Sequence, residues 1–148
     1  MVYRLLPLIT VGLMEYKFMG ELTGSREEEE LALGLIDGGW DIHYSPVVTI
    51  RHYSNSRGID LTRERRATDL KNGLLVLWRR FPFLLSLPAI GLRITCVYFR
   101  ALTEDPGAFS ELSKAIRQAH QDWKAAHCQR APIRLRSFCR YLLLHFSN

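Results

Sequence analysis

Prolines and helical apolar spacing organise the C-terminal two-thirds of the chain. From Thr62 a basic stretch leads into an apolar run that ends at Phe81, and Pro82 stops or kinks a helix there. A turn is predicted at 104–107, where a proline and a glycine follow two acids, and Pro132 separates a last short segment. The predicted helices span 62–81, 84–99, 109–126 and about 135–144.

A further helix is predicted nearer the N-terminus, over residues 26–39. Ser25 is a favourable N-cap, and Glu28 three residues later gives the spacing of a capping box. The glutamate run 27–30 lies in the first turn, where the helix dipole favours acids, and Gly38-Gly39 ends the helix. The predicted apolar face consists of Leu31, Ala32, Leu35 and Ile36.

Two extended segments are predicted after this helix. Trp40, Ile42 and Tyr44 alternate with polar residues, and residues 47–50 continue after Pro46. Because two or three short strands do not form a stable sheet without partners, we expect the strands that would precede them in a complete domain to be missing. The predicted fold class is therefore α/β up to about residue 55, followed by a mostly helical tail.

Charge divides the chain in the same place. Residues 1–50 carry three Lys and Arg against eight acids, a formal charge of −5, whereas residues 51–148 carry seventeen against seven, a charge of +10. The composition excludes a disordered chain, and 148 residues suffice for one domain. A basic surface fits a membrane, a nucleic acid or a phosphorylated ligand, and charge alone does not choose among them.

The cysteines favour a reducing compartment. Cys96, Cys128 and Cys139 are odd in number and widely spaced, so neither a disulfide framework nor a cysteine zinc site is expected. The apolar stretch 5–14 only weakly resembles a signal peptide and is better explained as a buried strand or helix. We therefore expect a cytoplasmic protein, with a peripheral position at the inner face of the membrane as an option.

That option depends on the uncharged segment 81–92. Twelve residues are too few to span a bilayer, and arginines flank the segment on both sides. An interfacial segment and an internal core helix both fit this pattern. The sequence Trp78-Arg79-Arg80-Phe81 has the composition of an interfacial anchor, with aromatic rings at headgroup depth and cations near anionic lipid.

Several spaced elements together resemble the C-terminal half of a family 2 glycosyltransferase. In that family an acidic pair opens a helix that ends in a Gly-Trp turn, and a strand then leads through a proline to a histidine. The matching elements are Glu27-Glu28, Gly39-Trp40, Pro46 and Val48–His52, with Val11–Glu15 and Phe18 upstream and Ser54–Arg57, Arg66, Asn72, Trp78–Arg80 and Pro82 downstream. The chain departs from the family in an insertion at 20–25, in Gly34 where arginine is usual, and in having no Asp-x-Asp motif.

The resemblance implies a GT-A (nucleotide-diphospho-sugar transferase) fold and its activity. Residues 1–55 would be the C-terminal portion of the catalytic domain, and residues 56–148 a basic helical tail that contacts the membrane interface. The implied reaction is inverting transfer of a sugar from a nucleotide-diphospho-sugar to a saccharide or lipid-linked acceptor. The family also implies a divalent metal, Mg²⁺ or Mn²⁺, although its main metal motif is absent from this chain.

The resemblance also implies site residues. Glu28 would be the general base and Glu27 would position the acceptor or the backbone. His52 would contact the metal or the diphosphate, and Arg51, Arg57 and Arg66 would bind diphosphate oxygens. From the residues alone, a capping-box position at a solvated helix start is the better explanation of Glu28, and only the resemblance favours the general base.

Two other functions stay open from the residues. One is a non-catalytic, membrane-associated helical protein, which the missing metal motif favours over an active enzyme. The other is a small basic nucleic-acid-binding protein. Nucleic acid is the weaker prediction, because the arginines are scattered among apolar helices and no helix-turn-helix, zinc or RNP-type signature occurs.

Overall fold

The computed structural model describes residues 26–42 and 59–146, and this part of the chain is helical. No strand occurs within it. The helices are α1 (Glu27–Asp37), α2 (Ile59–Arg80), α3 (Phe83–Glu104), α4 (Phe109–Cys128) and α5 (Leu135–Phe146), with a 3-10 turn at Pro106–Ala108.

The predicted helices are confirmed. Pro82 separates α2 from α3, and the turn that contains Pro106 separates α3 from α4, because proline disfavours a helix interior but is tolerated at a helix start. Pro88, in contrast, lies inside α3. At the end of α1, Gly38 caps the helix and Gly39 adopts a left-handed φ of 84°. The N-cap position is Arg26, one residue later than predicted, and its side chain makes no capping hydrogen bond.

The predicted α/β fold class is wrong for the described residues. Trp40–Ile42, the start of the first predicted strand, continues the chain after α1 without forming a strand. Their alternating pattern was too short to distinguish a strand from a connection. The remaining strand residues, 43–50, lie outside the described residues. The identification as part of a GT-A fold is overturned with the fold class, because that fold is built on a sheet and the described chain is a helical assembly.

The core is built around α2. This helix packs most extensively against α4 and next against α3, while α1 packs against α5 and α2. Aromatic rings connect the elements: Trp78 lies 4.1 Å from Trp123 between centroids, and Phe81 lies 4.8 Å from Phe138. The buried cluster contains Leu33, Leu70, Leu74, Leu75, Val76, Trp78, Phe81, Ala101, Ala108, Leu112, Ala119, Ala126, Ile133 and Phe138.

The connection between α4 and α5 closes the C-terminal end of α2. The last carbonyl groups of a helix have no partner within the helix. Here the backbone N–H of Ala131 donates to the carbonyl of Arg79 at 3.2 Å, and that of Ile133 donates to Arg80 at 2.8 Å. The Arg130 side chain donates to the carbonyls of Trp78 and Phe81. A cation also suits the negative end of the helix dipole, so one loop both satisfies and neutralises this terminus.

Candidate functional site on the exposed face of α3

The glutamates predicted to be catalytic do not converge with the other predicted site residues that the structure describes. Glu27 begins α1, and Glu28 is exposed in the first turn. Arg66 lies on α2, where it is 3.8 Å from Glu104. His52, Arg51 and Arg57 lie outside the described residues. The described part of the chain therefore assembles no acid, base and diphosphate-binding constellation.

The next glutamate, Glu30, has a structural role. Its carboxylate is buried and accepts hydrogen bonds from Arg79 Nη1 at 2.9 Å and Arg80 Nε at 3.0 Å. Burial raises the pKa of Glu30 to about 7, and the neighbouring charge and hydrogen bond of Arg79 limit that rise. The pairing attaches α1 to the C-terminal end of α2.

A second ion network ties the start of α1 to α2 and α3. Asp69 accepts two hydrogen bonds from Arg26, at 2.7 and 2.9 Å, and one from Arg93 at 2.7 Å. Glu29 accepts from Arg26 and from the Tyr141 hydroxyl at 3.0 Å. Burial and the nearby Glu29 raise the pKa of Tyr141 to about 12. The acidic run therefore anchors a helix to a basic bundle.

The described residues hold no group of three or more His, Cys, Asp or Glu side chains that could bind a metal ion. The expected Mg²⁺ or Mn²⁺ stays a prediction, because its one predicted ligand, His52, lies outside them.

The predicted membrane anchor is interior. Trp78, Arg79 and Phe81 are buried, and Arg80 is nearly so. Residues 78–80 end α2 and Phe81 follows it directly, at the place that the Arg130 loop covers. They are not positioned to contact a lipid surface.

The unusual surface lies immediately after them, along α3. From Phe83 to Phe99 its exposed residues recur every three or four positions and are apolar or small, and exposed Arg100 and Glu104 follow near its end. Leu84 is 84% exposed, Leu92 67% and Phe99 68%, although large apolar side chains are usually buried. We call this surface the apolar stripe and define it by Leu84, Pro88, Leu92, Cys96, Phe99 and Leu102.

The dimensions of the apolar stripe follow from helix geometry. At 1.5 Å per residue it extends about 27 Å from its first to its last member. No charged side chain occurs among its members, and Gly91 and Thr95 on the same side are also uncharged. The opposite side of α3 packs against the core through Ile90, Ile94 and Val97, so the helix is apolar on both faces. Contiguous exposed apolar surface of this kind marks an interaction site.

Polar groups lie at both ends of the apolar stripe. At the N-terminal end, the Arg130 guanidinium carbon is 5.4 Å from the Phe83 ring centroid. At the other end, Arg100 follows Phe99 and is paired with Glu104 at 2.9 Å. The stripe is thus an uncharged strip between two cationic positions.

Helix α3 is long and apolar enough to cross a membrane by length and composition. The uncharged segment 81–92 covers only about half of this helix, because Arg93 interrupts the run of uncharged residues. Arg93 faces Asp69 on α2. The spacing 84, 88, 92, 96, 99, 102 was the signal that could have identified the exposed face, had the inward face been known.

Comparisons with protein-family models, with curated proteins and with solved structures give no match.

Proposed function

We propose that this protein is a non-catalytic, peripheral membrane-binding protein, and that α3 lies in the plane of the bilayer interface with the apolar stripe against the acyl chains. The observation that carries this proposal is the uncharged, exposed apolar stripe on a helix whose other face is packed. A helix that lies in the interface plane buries one apolar face at the boundary between headgroups and acyl chains.

An in-plane orientation fits better than a span. Spanning would require α3 to enter the hydrocarbon together with the helix packed on it. That helix, α2, carries exposed Glu64 and Arg65 and the paired Asp69, and burying such charges in lipid is costly. With α3 in the plane, these charged groups stay in water.

The binding energy is of the size expected for reversible attachment. Fully burying a Leu or Phe side chain contributes about 1.5–3 kcal/mol. The stripe has four such side chains, which makes it comparable to a single myristoyl chain, and one such chain gives only marginal binding. The basic character of residues 51–148 adds attraction to anionic lipid.

The three cysteines allow a site-resolved test in the full-length chain. Cys96 lies in the apolar stripe, whereas Cys128 is exposed at the end of α4. Two variants, each retaining one of these cysteines and serine at the other two positions, are labelled with a polarity-sensitive fluorophore and mixed with phosphatidylcholine–phosphatidylglycerol vesicles.

The proposal predicts a blue shift and an intensity gain at Cys96 and little change at Cys128. Equal responses at the two positions, or none at Cys96, would overturn it. A second copy of the chain is the alternative occupant of the stripe. It would give a dimer by light scattering without lipid and a Cys96 label that vesicles do not affect.

A further inference from the structure

We propose that Arg66 and Arg100 together bind the phosphate group of an anionic phospholipid at the C-terminal end of α3, an inference that rests on the membrane role proposed above. Arg100 follows Phe99 and so lies about 100° around the helix from it, at the border of the apolar stripe. The Arg100 side chain is 69% exposed. Arg66 reaches the same place from α2, where its Nη2 lies 3.8 Å from the Glu104 carboxylate.

Both guanidinium groups have unused donors. Arg100 bonds Glu104 through Nε alone, at 2.9 Å to each carboxylate oxygen. Arg66 donates no hydrogen bond within residues 26–42 and 59–146, and its contact with Glu104 is a long ion pair. A guanidinium has five N–H donors, and two adjacent ones fit phosphate oxygens bidentately. The pair can therefore take a phosphate without breaking a core contact.

The ion pairs at this end contain more arginines than acids. Asp105 accepts two hydrogen bonds from Arg63, at 2.8 and 2.7 Å, and these bonds hold the pKa of Asp105 below its ordinary value. Asp105 is thus already neutralised by its own arginine. The other acid of these ion pairs, Glu104, is shared by Arg66 and Arg100, so the pairs contain three arginines and two carboxylates.

The position of the pair favours a headgroup over a free phosphate. Phe99 lies about 100° around the helix from Arg100 and is 68% exposed, and Leu102, in the same stripe as Phe99, is 61% exposed. If these two side chains enter the acyl region, the arginine beside them lies at the depth of the lipid phosphates, as long cationic side chains do at an interface. A free phosphate would gain nothing from the apolar neighbours. An apolar contact of marginal strength also needs a second, electrostatic contribution.

The test compares full-length proteins on two kinds of vesicle, phosphatidylcholine alone and phosphatidylcholine with phosphatidylglycerol. The test variant is Arg66→Gln/Arg100→Gln. The matched control is Lys114→Gln/Arg117→Gln on α4, which removes the same charge, and Lys114 is likewise 3.8 Å from an acid, Glu111. Circular dichroism confirms that both variants are folded.

We expect the wild type to bind the anionic vesicles about tenfold more tightly than the neutral ones, since each cation near such a surface contributes about 1 kcal/mol. The test variant should lose most of that preference, and the control should keep it within about twofold. Equal losses in both variants would mean general electrostatic attraction and overturn the inference. Wild-type binding without preference for anionic vesicles would also overturn it, yet leave the membrane role intact.

Two further outcomes count against it. No wild-type binding to either vesicle would overturn the membrane role and this inference with it. Inorganic phosphate should not displace the protein from anionic vesicles more than chloride at equal ionic strength. Specific displacement by phosphate would assign the pair to a free phosphate and overturn its role in headgroup binding.

Discussion

Gly73 and Arg93 lie against each other between α2 and α3, so closely that a Cβ on Gly73 would come within 2.5 Å of the Arg93 Nε. A glycine inside a helix costs roughly 1 kcal/mol relative to alanine, so its presence in the middle of α2 needs a reason. The reason is that a residue without a side chain leaves room for Arg93 to cross the helix. The Arg93 guanidinium crosses α2 at this position and reaches the carboxylate of Asp69, one turn earlier, at 2.7 Å.

This contact predicts that replacing Gly73 changes the stability of the fold in opposite directions, depending on whether Arg93 is present. Gly73→Ala in the wild type should destabilise the fold by about 1–2 kcal/mol, because Arg93 must move away from Asp69. In an Arg93→Ala background the same change should stabilise it by up to about 1 kcal/mol, because only the helix propensity remains. Urea unfolding of the four proteins measures both. Stabilisation in the wild type would show that the glycine does not serve this contact.

The same pair shows how far the sequence could predict the fold. Pro82 and Pro106 are local signals, and the helices they separate were predicted to within a few residues. The contact of Arg93 with Asp69 joins two helices, and no pattern in the sequence around either residue predicts it. The apolar stripe could not be predicted for a similar reason. Helix α3 is apolar on both faces, and only the packing of α2 determines which face is exposed.

The glutamate run shows why the sequence alone could not assign a role to each glutamate. Glu28, Glu29 and Glu30 are equivalent in sequence, and each fits the solvated start of a helix. What distinguishes them is their partners, which are 49 to 112 residues away in the sequence. These are Arg79 and Arg80 for Glu30, and Tyr141 for Glu29. The strand prediction at Trp40 depended on three alternating residues, too few to exclude a connection.

Glu30 predicts a pH dependence of stability. Its pKa rises from 4.5 when unfolded to about 7 when folded, so folding takes up a proton between these values. The unfolded state binds fewer protons in this window, and this group's contribution to stability therefore falls as the pH rises from about 4.5 through 7. The full effect is on the order of 3 kcal/mol.

The measurement is urea unfolding of the wild type and Glu30→Gln at pH 5 and pH 8. We expect the stability lost between these pH values to be smaller in Glu30→Gln. Glu28→Gln is the matched control, since Glu28 is exposed on the same helix, and it should behave as the wild type. Identical pH dependence in the wild type and Glu30→Gln would refute this assignment.

The contacts of Arg130 predict that lysine cannot replace arginine at this position without a loss of stability. Its guanidinium stacks on Trp78 at 4.4 Å and donates to two carbonyls at the end of α2. Lysine keeps the charge but lacks the planar fork that makes these contacts together. Arg130→Lys should therefore cost about 1–2 kcal/mol, nearly as much as Arg130→Gln, and should change the tryptophan fluorescence. Full stability in Arg130→Lys would mean that charge alone closes this helix end.

The apolar stripe predicts that membrane binding and stability can be separated. Leu92 and Phe99 contribute little to the core because they are largely exposed, so Leu92→Ser/Phe99→Ser should change the free energy of unfolding by no more than about 0.5 kcal/mol. Vesicle binding should fall at least tenfold, because two of the four large side chains in the stripe are lost. Leu143→Ser is the control: Leu143 is 72% exposed but lies on α5, outside the stripe. If the control loses binding as severely, general surface hydrophobicity is responsible. If the double variant unfolds, the stripe is an internal contact of the chain.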